Sequence, residues 1–435
     1  MKKSSPLLST LWLASEKLCA MALVLLTTLI LARHLGPDAF GQLNYLVAIV
    51  SLISPFAAMG LNAIVTRELV LKPEANDTIL ASALGLRLLG AAVASLVVFI
   101  AAPWFVEPGF RLAFSMLLIA NLFTAFLLFD YWLQAHVANR YAAKARLGVL
   151  ILLTITRLLA VYFDAQLQVF VWLAAAEIAL TGLAFLLVYM LKGNGIAQLR
   201  FCATTAKSLL AQSWWLMLSG LAAIVYLKID QVMLGQLSSH QQVGIYAVAS
   251  RLSEVWYFFP VALVSSFFPK LLTSKTTCTD QYQQQLQQLN DALFVVALLL
   301  AIVVMFIAEP IIILLFGNSY QASAAVLSIH IWAGVFIFMR ALLSKWLLAE
   351  NLLRFSLITQ IAGALLNIAA NYWLIPIHGA LGAAVATVLS YAAASYLALF
   401  LHAKTWPMAK IITASFLLPF RFALKGRTIY QKLEK

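Results

Sequence analysis

Arg251 and Glu254 stand three residues apart inside an apolar stretch. On a helix that spacing puts both side chains on one face, and Ser265 falls on the same stripe. The pair either neutralises itself and staples two helices, or lines a cavity. In a cavity the guanidinium would meet an anionic head group and the carboxylate would exchange a proton. Pro260 follows closely, and a proline bend frees backbone groups and supplies a hinge, which favours the cavity.

Other polar residues interrupt apolar runs in the same way. Ser219, Tyr226 and Asp230 share a face by their spacing of seven and four, with Lys228 nearly opposite. Asp230 sits near the end of its run, so a solvated helix end competes with a coupling role. Glu16 and Lys17 are adjacent near the start of the chain, where Lys17 can snorkel. Arg87, Arg157 and Arg340 are lone arginines. A guanidinium does not neutralise itself by losing a proton, so each needs an anion, from a carboxylate on another helix or a ligand phosphate. Glu177 is the candidate partner of Arg157, and Arg87 lies near enough to a helix end to snorkel. Gln360, Asn367 and Asn371 form a polar stripe suited to hydrogen bonding between helices.

Each such charge costs about 2.5–3.5 kcal/mol at mid-bilayer, so it faces a bundle interior or a wet cavity. Six bases (Lys17, Arg87, Arg157, Lys228, Arg251, Arg340) against four acids (Glu16, Glu177, Asp230, Glu254) describe an interior tuned for an anion. Arg251 and Lys228 lead as anion-binding candidates, followed by Arg87, Arg157, Arg340 and Lys17. Glu254, Asp230, Glu16 and Glu177 are the candidates for ion coupling.

Residues for covalent chemistry are missing. No GxxxxGK[ST] loop occurs, and Gly85 to Gly90 continues into Ala91-Ala92. The short loops on one face carry Asp38, Glu107 or Asp164 singly, with none of the paired acids a glycosyl-transfer site needs. The six histidines are scattered. Cys19, Cys202 and Cys278 form no CxxC pair, so neither a disulfide framework nor a metal site is expected. No catalytic residue, cofactor or nucleic-acid partner is expected.

The elements that position these residues follow from composition. Of 435 residues, 63% are hydrophobic and only 10% are charged, against about 25% charged in a soluble domain. The surplus of apolar residues is enough for about twelve spans of roughly 20 residues. Twelve apolar runs are found, the first at 9–33 and the last at 379–402, separated by turn chemistry at His34-Leu35-Gly36-Pro37-Asp38, Pro103, Gly193-Asn194-Gly195, Gly317-Asn318 and Pro376-Ile377-His378-Gly379. Glu16 and Lys17 interrupt the first run and no small-x-small site closes it, so it is expected to be retained as a helix.

The net charge of +13 is mainly a topology signal. Twenty-one Lys and Arg fall in the termini and even-numbered loops, against only Arg33 and Arg111 in the odd-numbered ones. That bias places both termini in the cytoplasm. After residue 404 a basic, short apolar stretch suits a helix lying at the membrane surface, drawn there by anionic lipid.

The two halves echo one another. At an offset of 203, Trp12 meets Trp215, Gly41 meets Gly244 and Arg67 meets Lys270, while Pro55 and Pro260 each fall in the second helix of their half. The expected organisation is an all-α integral membrane protein with a six-helix lobe at 1–200, a second at 201–404 and a basic tail at 405–435. Parallel repeats of this kind rock about a central cleft.

Three segments carry a family resemblance. Leu31-Ala32-Arg33-His34-Leu35-Gly36-Pro37-Asp38-Ala39-Phe40-Gly41-Gln42 resembles the first loop of the Wzx-type polysaccharide flippases. Asp230-Gln231-Val232-Met233-Leu234-Gly235 through Val243-Gly244-Ile245-Tyr246-Ala247-Val248-Ala249, and Ile375-Pro376-Ile377-His378-Gly379-Ala380-Leu381-Gly382-Ala383-Ala384, are similar to that family too. The resemblance covers residues 5–405. It implies a V-shaped exporter fold of the superfamily that also holds multidrug exporters and lipid II flippases. It implies translocation of an undecaprenyl-pyrophosphate-linked oligosaccharide across the bacterial inner membrane, driven by a proton or sodium gradient. Membrane lipids, a polysaccharide polymerase and a chain-length regulator are the implied partners. The tail after 405 departs from the shorter family pattern. A multidrug antiporter of the same superfamily and an integral-membrane glycan polymerase or transferase remain the rivals.

Overall fold

The computed structural model describes residues 6–193, 195–277, 279–418 and 421. Every element among the described residues is helical. Among the described residues, ten helices are long and apolar enough to cross a membrane: α1 (Lys17–Leu71), α2 (Pro73–Trp104), α3 (Pro108–Ala135), α4 (Asn139–Tyr162), α5 (Leu167–Leu191), α6 (Ala203–Leu237), α7 (His240–Lys275), α8 (Thr279–Phe316), α9 (Ala322–Ala349) and α10 (Arg354–Leu401). A shorter helix, α11 (Trp406–Phe416), follows. The chain is therefore a multi-pass membrane protein.

Two of the ten, α1 with 55 residues and α10 with 48, are each more than twice as long as one crossing needs. Each is broken by a glycine. Gly36 takes φ 71, ψ 172 immediately before Pro37, and Gly379 takes φ 54, ψ −130 three residues after Pro376. Only glycine enters these regions without strain, and each proline removes a helical N–H. A second break in α1, at Met59-Gly60, also has positive φ. In α7 the bend expected at Pro260 is a 3₁₀ turn over Val255–Tyr257, just before the proline.

The chain forms two compact units, Met1–Gly244 and Ile245–Lys435. The first packs around Leu61, Val65, Leu80, Phe129, Trp132 and Tyr189. The second packs around Leu286, Leu293, Phe338, Met339, Leu342 and Ile412. Outside these cores, α2 exposes Leu89, Leu96, Val97, Phe99 and Ile100. On a soluble protein such a face would aggregate; on a membrane helix it is the lipid surface.

The described part of the tail is docked. Met408, Ala409 and Ile412 of α11 are buried in the core of the second unit, while Lys410 stays exposed. Ser415 Oγ donates to Asp291 Oδ1 at 2.6 Å, Asn290 donates to Ser415 Oγ at 2.8 Å, and Arg421 pairs with Asp291 at 3.2 Å. The tail residues after Arg421, and the side chain of Glu16, lie outside the described residues.

Candidate functional site

In the first unit, Arg87 on α2 is 2% exposed. It donates to Tyr131 Oη at 2.6 Å and to the Thr124 carbonyl at 2.7 Å, and its guanidinium carbon lies 5.3 Å from the Tyr131 ring centre. Arg87 does not snorkel. Its charge is held inside the bundle by acceptors of α3, where a low dielectric strengthens each bond.

Arg157 on α4 pairs with Glu177 on α5 at 2.5 Å, the partner expected from sequence. Lys17 is exposed at the start of α1, and on α6 Lys228 is half-buried while Asp230 is buried.

Sequence reasoning missed a further ion pair. Asp130 on α3 lies 2.5 Å from Arg146 on α4 and accepts from Gln134 at 3.0 Å. Its side chain is only 11% exposed, so Asp130 is a buried acid that is not among the four read from the sequence. The signal was available: Asp130 is the only carboxylate within an otherwise apolar run after Arg111.

In the second unit, Arg251 and Glu254 are both half-buried on α7, on the last helical turn before the Val255–Tyr257 3₁₀ turn. Among the described residues neither makes an ion pair or a side-chain hydrogen bond. The Oγ of Ser253 between them is buried without a partner. A cation and an anion are thus presented at a helix break with no ion pair among the described residues, which suits recognition of a charged, polar ligand.

The remaining candidates are engaged by protein. Arg340 on α9 donates to Thr359 Oγ1 at 3.2 Å, the Ala394 carbonyl at 3.0 Å and the Ser356 carbonyl at 3.3 Å, so it clamps both legs of the broken α10. Asn371 donates to Asn367 at 3.1 Å and Asn367 to Ser390 Oγ at 3.4 Å. Both asparagines are fully buried. Gln360, higher on the stripe, reaches Ser356 Oγ at 3.5 Å.

A second cluster lies where the break in α1 meets the turn between α6 and α7. A Cβ on Gly41 would collide with the His240 carbonyl oxygen and sit 2.6 Å from the Gly244 nitrogen, while a Cβ on Gly244 would collide with the Pro37 carbonyl. Beside them His240 Nε2 lies 3.6 Å from Glu107, Gln236 donates to Tyr45 Oη, and Tyr45 Oη donates to the Phe105 carbonyl at 3.0 Å. Two of the three resemblance segments therefore touch one another here.

At the head of α6, Cys202 is the N-terminal flanking residue. Its sulfur lies 2.9 Å from Thr204 Oγ1, and that hydrogen bond, with smaller ones from the Thr205 backbone and hydroxyl, lowers its pKa to about 7, as an oriented helix N-terminus also does.

Residues 7–275 match the profile of the family described as "Polysaccharide biosynthesis protein". The chain belongs to this family. A second profile, MatE, matches residues 216–373. Two Haloferax volcanii proteins are similar in sequence. "Probable flippase AglR" is 29% identical over 48% of this chain and 44% of its own length. "Probable low-salt glycan biosynthesis flippase Agl15" is 26% identical over 46% of this chain and 43% of its own length. Each match therefore covers less than half the length of the curated relative. Among solved structures, a lipid II flippase MurJ in an inward closed conformation superimposes with a TM-score of 0.67 at 15% identity, covering 96% of this chain and 93% of that one. An inward-facing multidrug resistance MATE family transporter of the MOP superfamily gives 0.68 at 15% identity, covering 91% and 95%. The polysaccharide-biosynthesis chain thus shares the helical fold of these two solved structures.

Proposed function

We propose that this chain is a flippase that moves an undecaprenyl-pyrophosphate-linked oligosaccharide from the cytoplasmic to the periplasmic leaflet of a bacterial inner membrane. One observation carries most weight: Arg251 and Glu254 are half-buried in an apolar helix with no ion pair among the described residues. Burying such charges unpaired is costly, and a cargo with phosphates repays the arginine. Arg251 is the first candidate to hold the pyrophosphate or an acidic sugar and Lys228 the second, while the polyprenyl chain stays in lipid. Glu254 and Asp230 bind the coupling proton or sodium ion. Membership of a polysaccharide-biosynthesis family and the flippase names of the two Haloferax relatives support this assignment.

The glycine breaks in α1 and α10 make two crossings of each, giving twelve in all with both termini cytoplasmic. Two six-helix lobes, 1–200 and 201–404, rock against each other to alternate access. The chain acts as a carrier with no covalent chemistry of its own, and a polymerase and chain-length regulator receive its product.

A multidrug antiporter is the second reading, favoured by the MatE match to residues 216–373. The separating experiment is complementation of a strain lacking the gene. Arg251→Ala and Lys228→Ala, matched for expression, lose surface glycan while drug resistance is unchanged. Full restoration of glycan by both variants contradicts the binding assignment, and a gain in drug resistance from the wild-type gene favours the antiporter.

A further inference from the structure

A groove of about 270 Å³ opens between α7 and α8, lined by Leu263, Phe267, Lys270, Gln285, Gln288 and Leu289 among others. Its chemistry is graded along its length. α8 begins with a polar stretch, Thr279-Asp280-Gln281-Tyr282-Gln283-Gln284-Gln285, and becomes apolar only after Asp291. Lys270, Leu271 and Gln285 line the end of the groove nearest the loop that joins the two helices, Leu263, Phe267 and Ala292 line the far end, and Gln288 and Leu289 lie between. Lys270 makes no ion pair among the described residues, and Lys270 and Gln288 are exposed.

We propose that this groove is a binding site for an anionic phospholipid of the adjoining leaflet. The lipid phosphate sits at Lys270 with the two glutamine amides as donors, and the first segment of an acyl chain lies against Leu263, Phe267 and Leu289. Charge and polarity commit the site to this occupant. A free phosphate has no use for the apolar end, and a purely apolar chain has none for Lys270. A volume of 270 Å³ is at the small end of ligand pockets. It holds a head group and the start of a chain while the rest remains in the bilayer. The site is distinct from Arg251 and Glu254 and does not depend on the transport assignment.

The full chain in detergent, titrated with phosphatidylglycerol or phosphatidylcholine and read by native mass spectrometry, tests this. The wild type is expected to prefer phosphatidylglycerol. Lys270→Gln is expected to lower that preference about five-fold, the effect of one basic residue at an anionic surface. Lys270→Arg is expected to keep it and Gln288→Glu to lower it. Circular dichroism confirms that the variants are folded, and both substituted positions are exposed. Equal binding of the two lipids by the wild type, an unchanged preference in Lys270→Gln, or displacement of phosphatidylglycerol by millimolar inorganic phosphate would each overturn the assignment.

Discussion

Gly41 and Gly244 abut: a Cβ on the first would lie 2.6 Å from the backbone nitrogen of the second and collide with the His240 carbonyl. The colliding atoms are backbone, so no rotamer change makes room. Gly41→Ala and Gly244→Ala are each expected to destabilise the protein by about 1–3 kcal/mol, the usual cost of overpacking. Thermal unfolding of the purified chain checks this. Gly109→Ala is the control, since nothing lies within 4 Å of its Cβ position, and its unfolding temperature should stay that of the wild type.

Asp130 and Arg146 offer a test of coupling. Removing the arginine alone strands a buried carboxylate, so Arg146→Met should cost roughly 1–3 kcal/mol, reduced from the fully buried case because Arg146 is part-exposed. Asp130→Asn in the same chain should return much of that loss. A double-mutant cycle on unfolding free energies measures the difference. Strict additivity would mean that the pair is energetically idle.

Arg87 should behave as a structural residue. Its two hydrogen bonds to Tyr131 and Thr124 tie α2 to α3, and Arg87→Ala leaves a cavity and unsatisfied acceptors. A loss of about 2–4 kcal/mol is expected, seen as a lower unfolding temperature and lower yield. Lysine, which keeps the charge but lacks the fork, should rescue only part of it.

Cys202 should react as a thiolate near neutrality. Its pKa is lowered to about 7, chiefly by the Thr204 hydroxyl. Maleimide labelling at Cys202, resolved by mass spectrometry, should therefore rise with pH to half its maximal rate near pH 7. Thr204→Val removes that hydrogen bond and should move the midpoint upward. A midpoint that does not change in the variant contradicts the assigned cause.

Much of the fold was legible because lipid imposes simple rules. The apolar runs are helices, and the Gly36-Pro37 and Pro376 to Gly379 punctuation marks real breaks, at each of which a single glycine leaves helical geometry between two helical legs. The Arg157–Glu177 pair was readable from two lone charges on consecutive helices. The partners of Arg87 and Arg340 were not, because they are backbone carbonyls and neutral hydroxyls in equal number, and neither marks itself in a sequence as the partner of a charge. Asp130 escaped because its partner Arg146 reads from the sequence as one of the loop bases that set topology, whereas it lies within the helix Asn139–Tyr162. The offset of 203 aligned Gly41 with Gly244, but alignment alone says nothing of contact.

The central claim is tested most directly by transport with purified components. The protein is reconstituted into proteoliposomes carrying a fluorescent undecaprenyl-pyrophosphate oligosaccharide, and arrival of the label in the opposite leaflet is followed by a membrane-impermeant quencher. The wild type should translocate the label, and Arg251→Ala should reduce the rate at least ten-fold, about 1.4 kcal/mol of lost binding, at equal reconstitution. Wild-type vesicles no faster than protein-free ones, or an Arg251→Ala rate equal to wild type, would contradict it.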